Sequence, residues 1–185
     1  MKEVIKQVIL DSIKIKELIN IELVEEIAKI IIDSLKNNGK LLICGNGGSA
    51  AQAQHFSAEL IGRFEKERKS LPAISLTTDT SNLTAIGNDY GFDKIFSRQV
   101  EALGSSNDVL FCLSTSGNSE NIIQAINVAS NKSIKIITLL GKDGGKITQL
   151  PGSHIIINAQ NTARIQETHI LIIHILCKLI EDELC

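Results

Sequence analysis

"DVLFCLSTSGNSENIIQAINVASNKSIKIITLL", residues 108–140, holds a complete strand–loop–helix–strand unit. Its two ends, "DVLFCL" (108–113) and "IKIITLL" (134–140), are runs of Val, Leu, Ile and Phe without polar alternation. That pattern suits strands covered on both faces, as in a parallel sheet. Residues 119–130 between them read as the crossover helix that parallel neighbours require. The same rhythm extends outward on both sides. "KLLIC" (40–44), "AISL" (73–76) and "HIIIN" (154–158) are further short apolar runs. Helical stretches are expected near 50–63, 79–87, 92–103 and 144–149. Five such strands alternating with helices predict an α/β chain: a three-layer α/β/α sandwich around a five-stranded parallel sheet.

Before this core, residues 1–38 read as two helices. Val4, Ile5, Val8, Ile9 and Ile13 recur at a period near 3.6, as do Leu23, Ile27, Ile30, Ile31 and Leu35, and "NNGK" (37–40) supplies a stop. A long helix is expected over 161–183. These three helices are read as additions to the α/β core (40–158), their apolar surfaces available to partner subunits. The 185 residues suit one domain, and no repeat or linker divides them. No apolar run reaches the roughly 18–20 residues that span a bilayer. The N-terminus has no signal-peptide core, so a soluble cytoplasmic protein is expected. A net charge of −2, one Tyr and no Trp argue against a nucleic-acid surface, which wants a basic face and stacking platforms. The four cysteines (44, 112, 177, 185) form no C-x-x-C pair and are read as reduced thiols without catalytic duty.

In an open parallel sheet, ligands bind at the carboxyl ends of the strands. Two loops stand there. "CGNGGSAAQAQHF" (44–56) contains a loose G-x-G-x-x-A from Gly45, Gly47 and Ala50. The acidic ribose partner of a dinucleotide site should end a strand about twenty residues on. The polar stretch "GRFEKERKS" has no strand character, which weighs against that site. "LSTSGNSEN" (113–121) is more informative. Ser114, Thr115, Ser116 and Ser119 set four hydroxyls around Gly117 just before a helix. Helix N-terminal amides favour an anion, and hydroxyls add neutral donors, so a phosphate can be held there without lysine. A plain capped turn with Ser119 as N-cap is the simpler reading, and four hydroxyls in six residues outweigh it.

"GNGGSA" (45–50), "QHFSAELIGRF" (54–64), "LTAIGNDYGF" (83–92), "LSTSGNS" (113–119), "GKDGG" (141–145) and "ARIQETHILIIH" (163–174) together carry a resemblance. Over nearly its whole length the chain resembles the sugar isomerase (SIS) family of phosphosugar-binding domains, in its phosphoheptose isomerase branch. The resemblance implies a single SIS domain over 1–185 with a flavodoxin-like sheet. It implies a cytoplasmic homotetramer with active sites between subunits, and no nucleic-acid or membrane partner. The implied reaction interconverts sedoheptulose 7-phosphate and D-glycero-D-manno-heptose 7-phosphate, early in ADP-heptose supply for the lipopolysaccharide core. It also implies one zinc per subunit on His55, Glu59, Gln166 and His174. The implied substrate contacts are Asn46, Gly47, Gly48, Glu59, Asn88, Asp89, Ser114, Thr115, Ser116, Ser119 and Gln166, with Arg63 shaping the pocket. A relative that only binds the replication initiator shares much of the pattern. It lacks the positions equivalent to Glu59 and His174, both present here.

The residues themselves bear on this chemistry. His55 and Glu59 lie one turn apart on one helix face. On the last helix Gln166, Glu167 and His174 fall within an arc of about 100°. Gln166 and His174 are nevertheless about 12 Å apart along the axis, so either an ion sits midway or more than one subunit contributes. Imidazole, carboxylate and amide oxygen suit a zinc-like divalent ion. Isomerisation needs a base on carbon and an acid near oxygen, for which Glu59 and His174 are the expected catalytic pair. His169 points elsewhere and reads as a structural hydrogen bond. Glu167 is expected to pair with Arg164 or another subunit, His154 to be incidental, and "EKERK" (65–69) to be a solvated loop. An isomerase of another phosphosugar and a non-catalytic initiator-binding protein are the rival readings.

Overall fold

Strand side chains alternate between two cores, which is why the apolar runs show no polar alternation. Leu41, Ile43, Val109, Phe111, Leu113, Ile137 and Leu139 enter one core, and Leu42, Cys44, Leu110, Cys112, Ile136 and Leu140 the other. The computed structural model describes residues 1–185. Its strands are β1 (Leu41–Gly45), β2 (Ala73–Ser75), β3 (Val109–Ser114), β4 (Lys135–Gly141) and β5 (Ser153–Ile157). They form one parallel sheet in the order β2-β1-β3-β4-β5. This is the flavodoxin-like order, whose ligand crevice opens where the winding reverses, between β1 and β3. Both loops singled out above leave the sheet at that point.

The helices are α1 (Lys2–Lys16), α2 (Ile21–Lys36), α3 (Gly48–Ile61), α4 (Thr80–Tyr90), α5 (Ser97–Leu103), α6 (Glu120–Asn131) and α7 (Thr162–Leu184). Side-chain caps start three of them: Asn20 accepts from Leu23 N, Asp79 from Asn82 N and Asn161 from Ala163 N. The helix expected over 92–103 is split into a 3₁₀ turn (Phe92–Lys94) and α5. The one expected over 144–149 is a 3₁₀ helix, Gly145–Gln149. Gly144 and Gly145 both have positive φ there, and too few residues follow for two α-helical turns.

Two of the three helices read as additions belong to the sandwich itself. Ile27 and Ile31 of α2, Ala53 and Phe56 of α3, and Ile172, Ile173 and Leu176 of α7 fill the first core together. Ile122, Ala125 and Ile126 of α6 and Val100 of α5 cover the second. The expectation that α2 and α7 keep their apolar faces for partner subunits is therefore corrected. The same amphipathic stripe serves an intrachain layer or an interface, and only packing tells them apart. α1 differs, with no buried residue and Val4, Ile5, Val8, Ile9 and Ile13 all exposed. It is tied to α7 by polar contacts: Ser12 Oγ donates to Glu167 (2.8 Å) and Arg164 to the Val8 carbonyl (3.1 Å).

Cys44 and Cys112 face each other across β1 and β3, Sγ to Sγ 3.5 Å. Burial pushes the Cys112 thiol up, so it stays an unreactive hydrophobe. His154 bridges Thr138 and the Leu150 carbonyl (2.9 Å each). His169 is fully buried, its Nε2 3.2 Å from the Leu140 carbonyl. Burial pulls its pKa down to about 4, so the folded state holds it neutral. Between about pH 6.5 and 4 the unfolded chain therefore binds the extra proton, and stability falls as pH drops through that window. At about 1.4 kcal/mol per unit, the full shift is worth about 3 kcal/mol. Urea unfolding at pH 7.5 and pH 4.5 should show wild type losing about 2–3 kcal/mol more than His169→Gln does. Equal losses would mean that His169 is protonated in the fold.

Candidate active site

α3 leaves the end of β1, and α7 runs beside it in the same direction. Gly48, at the start of α3, lies under the Gln166 carboxamide, where a Cβ would meet Nε2 at 2.3 Å. Gln52 Nε2 donates to the Gln166 carbonyl (2.7 Å). Further along, His55 meets His174, Nε2 to Nε2 2.9 Å, with the rings edge-on and centroids 5.2 Å apart. Glu59 Oε1 lies 3.2 Å from His55 Nε2. The ligand-capable atoms of His55, Glu59 and His174 all lie within 4.8 Å of one another. So α7 matches α3 turn for turn, Gln166 to Gly48 and His174 to His55. Gln166 therefore stands about two turns from the cluster, and one chain brings His55, Glu59 and His174 together without it.

Three possible lone-pair donors gathered this closely form a set that suits a divalent cation. Zinc bonds of about 2.0–2.1 Å in a tetrahedron separate neighbouring ligand atoms by about 3.3 Å, close to the 2.9 and 3.2 Å found here. His55 remains 42 % exposed and Glu59 21 %, so the cluster is open to small molecules. Phe64 lies against the other side of His174, centroid to centroid 5.7 Å.

The two loops at the crevice are bolted together. Asn46 and Asn121 exchange a pair of amide hydrogen bonds, 2.9 Å each, which joins the loop after β1 to the first turn of α6. Ser119 occupies the N-cap position of α6, but its hydroxyl makes no cap and lies 3.3 Å from Ser114 Oγ. Ser114 accepts from Gly117 N (3.1 Å) and Ser116 from Asn118 N (3.2 Å). The chain from Gly144 of "GKDGG" to Ile147 buttresses this loop, with Gly144 against Gly117, Ile147 N donating to the Gly117 carbonyl (3.0 Å) and Lys146 N to Asn118 (3.1 Å). Asn88 and Asp89 stand apart on α4, a helix with no buried residue, where Asn88 donates to Asp89 (2.8 Å).

A family model described as "SIS domain" matches residues 7–141. The phosphoheptose isomerase of Aliarcobacter butzleri is 55 % identical over 163 residues, which is 88 % of this chain and 86 % of that one. That of Helicobacter hepaticus is 58 % identical over 160 residues, 86 % and 82 % of the two chains. The phosphoheptose isomerase structure from Neisseria gonorrhoeae superposes with a TM-score of 0.90 at 48 % identity, over 97 % of this chain and 98 % of that one. This chain belongs to the phosphoheptose isomerase family of SIS domains.

Around the site of this SIS domain, sequence reasoning placed the "EKERK" segment wrongly and did not single out Glu181 or Asn121. "EKERK" is not solvated throughout, because Arg68 is buried with its guanidinium 3.0 Å from Glu181, also buried. A run of charges hides one buried member when its partner lies far off in sequence. Glu181 was missed for the same reason, and Asn121 because a polar residue in the first turn of a helix is ordinary. Arg63 is exposed and reaches only Glu65 and Glu67 of its own loop. Glu167 pairs with Arg164, as expected.

Proposed function

We propose that this protein interconverts sedoheptulose 7-phosphate and D-glycero-D-manno-heptose 7-phosphate, at an early step of ADP-heptose supply for the lipopolysaccharide core. The observation that carries this reading is the His55–Glu59–His174 cluster, in a chain more than half identical to phosphoheptose isomerases. A protein that only bound the replication initiator would have no use for an acid–base pair beside a phosphate loop.

The sugar phosphate sits on the hydroxyls of Ser114, Thr115, Ser116 and Ser119 at the start of α6, where helix amides favour the dianion. Asn46, Gly47 and Gly48 line the neighbouring wall, and Gln166 reaches the sugar from α7. Glu59 takes a proton from C1 of the ketose while His174 delivers one to the C2 oxygen, giving the enediol. Glu59 then returns its proton to C2, and the C1 hydroxyl gives its proton back to His174, so the aldose forms and both groups are restored. His55, Glu59 and His174 would hold one zinc per subunit, which when bound supplies carbonyl polarisation. A ring nitrogen that held the ion would carry no proton, so His174 would deliver its proton from the other nitrogen. Gln166, seated on Gly48 about two turns back along the helix pair, would face the sugar rather than the ion. Glu59 Oε1 faces His55, which leaves Oε2 for the sugar.

The purified protein should convert sedoheptulose 7-phosphate to the aldose, lose that activity on chelation and regain it with zinc. Folded, metal-replete protein that turns over another phosphosugar and not this one would overturn the substrate. Gly48→Ala should leave the fold intact, since alanine is accepted in a first helical turn. Its methyl takes the space of the Gln166 amide, so kcat/KM should fall about 10–100-fold, the size expected for a displaced substrate contact. Activity equal to wild type would remove Gln166 from the site.

The assembly we infer is a homotetramer with active sites at subunit boundaries. What supports it is α1, whose row of Val and Ile side chains is uncovered in the single chain. The exposed Asn88 and Asp89 on α4 are then available to a neighbour's substrate. No helix is long and apolar enough to cross a membrane. What supports a cytoplasmic location is the proposed substrate, a charged phosphosugar that does not cross a bilayer unaided.

A further inference from the structure

Beyond Gly48–Gln166 and His55–His174, the helix pair α3 and α7 makes a third connection that the chemistry above does not use. Glu181 lies seven residues after His174, two turns on and on the same face of α7. Its carboxylate is 1 % exposed and accepts four hydrogen bonds: from Phe64 N (2.9 Å), Glu65 N and Lys66 N (3.0 Å each) and Arg68 Nε (3.0 Å). That fills the acceptor capacity of a carboxylate. Burial alone would raise its pKa, but these four donors hold it below the usual carboxylate range.

Arg68, 2 % exposed, passes the connection on. Its guanidinium donates to the carbonyls of Glu59 (2.7 Å) and Leu60 (2.8 Å), two of the orphan acceptors at the C-terminal end of α3. The backbone of Glu59 itself is thus held by an ion pair anchored on α7. The loop that Glu181 gathers begins with Phe64, whose ring packs on His174. A buried ion pair is weak evidence for stability, because desolvating both charges offsets most of their attraction. A fixed geometry is the better account of this one, since both ends of the unit touch the acid–base pair.

We propose that Glu181 and Arg68 are positioning residues that set the distance between Glu59 and His174, with Phe64 bracing the imidazole. This inference rests on the isomerase reading for its kinetic consequence and on the His55–Glu59–His174 cluster alone for its effect on metal affinity. A displacement near 1 Å at a reacting group is enough to cost about 10²-fold in rate, while substrate affinity, set by the serine loop, is left alone.

The test uses Glu181→Gln, Arg68→Lys and Phe64→Leu in the full chain, at a temperature well below unfolding. Two readouts are taken: kcat and KM for sedoheptulose 7-phosphate, and zinc affinity of the apo protein by competition with a chromophoric chelator. Arg68→Lys and Glu181→Gln should lower kcat about 10–100-fold with KM within about threefold, and weaken zinc about tenfold or more. Phe64→Leu, which breaks no ion pair, should lower kcat about threefold to tenfold at near-normal stability. Lys40→Met removes the ion pair with Asp108 (2.7 Å) at the opposite end of β1. It should lose stability and keep both kcat and zinc affinity. If Glu181→Gln does not fold, the other two variants decide. Normal kcat and normal zinc affinity in folded Arg68→Lys and Phe64→Leu would overturn the proposal. Wild-type protein without isomerase activity, with zinc affinity still weakened in the variants, would overturn the reaction and leave the positioning unit standing.

Discussion

Glu59→Gln should lower turnover of sedoheptulose 7-phosphate by about 10²–10⁴-fold, the usual contribution of a positioned general base. His174→Gln should do the same. Glutamine keeps the length and hydrogen-bonding reach of glutamate but loses its charge, so with zinc kept saturating what remains missing is the ability to take a proton. The loss therefore belongs in kcat, with KM nearly unchanged. Because the two groups act on one enediol, the double variant should be little worse than either single one. Deuterium uptake from solvent at C1 reads the base directly, and in Glu59→Gln it should fall in step with turnover. A Glu59→Gln enzyme retaining more than about a tenth of wild-type kcat would remove Glu59 from the proton path.

Gly117→Ala should be the most damaging change at the phosphate loop. Gly117 has φ +63°, and a Cβ there would lie 1.9 Å from the Gly144 carbonyl oxygen. The left-handed backbone alone costs alanine about 1–2 kcal/mol. The clash cannot be relieved by a side chain, because what it meets is the backbone of the segment that buttresses the loop. The total should reach about 3 kcal/mol or more, in the range of severe substitutions, and the loop that survives should bind phosphate poorly. Urea unfolding and KM measured together check this. A variant with wild-type stability and wild-type KM would show that the two loops are not in contact as described.

Much of this was legible in the chain because its causes are local. Continuous apolar runs mean strands buried on both faces, and the hydroxyls of Ser114, Thr115, Ser116 and Ser119 stand before α6 because they are neighbours in sequence. His55 and Glu59, four apart, share a face whatever the fold does. Other features depend on contacts between distant segments and leave no local mark. α1 and α2 carry the same stripe, yet only α2 is covered within the chain. Arg68 reads like its solvated neighbours until Glu181, 113 residues away, is brought to it. Whether Gln166 and His174, about 12 Å apart along α7, meet one ion stayed open because the residues of a parallel α3 beside each of them cannot be foreseen from α7 alone.

That parallel pairing also bears on when the site comes into being. The contact between His55 and His174 spans 119 residues, and closing so long a stretch of chain is slow relative to forming helices and neighbouring strands. Until α7 docks, the first core lacks one of its covering layers, and His55 and Glu59 face water as an ordinary helical pair. The partly folded chain therefore has no three-donor cluster, and nothing faces Glu59 across the helix pair. The His55–Glu59–His174 cluster is thus assembled in one step, with the docking of the last helix.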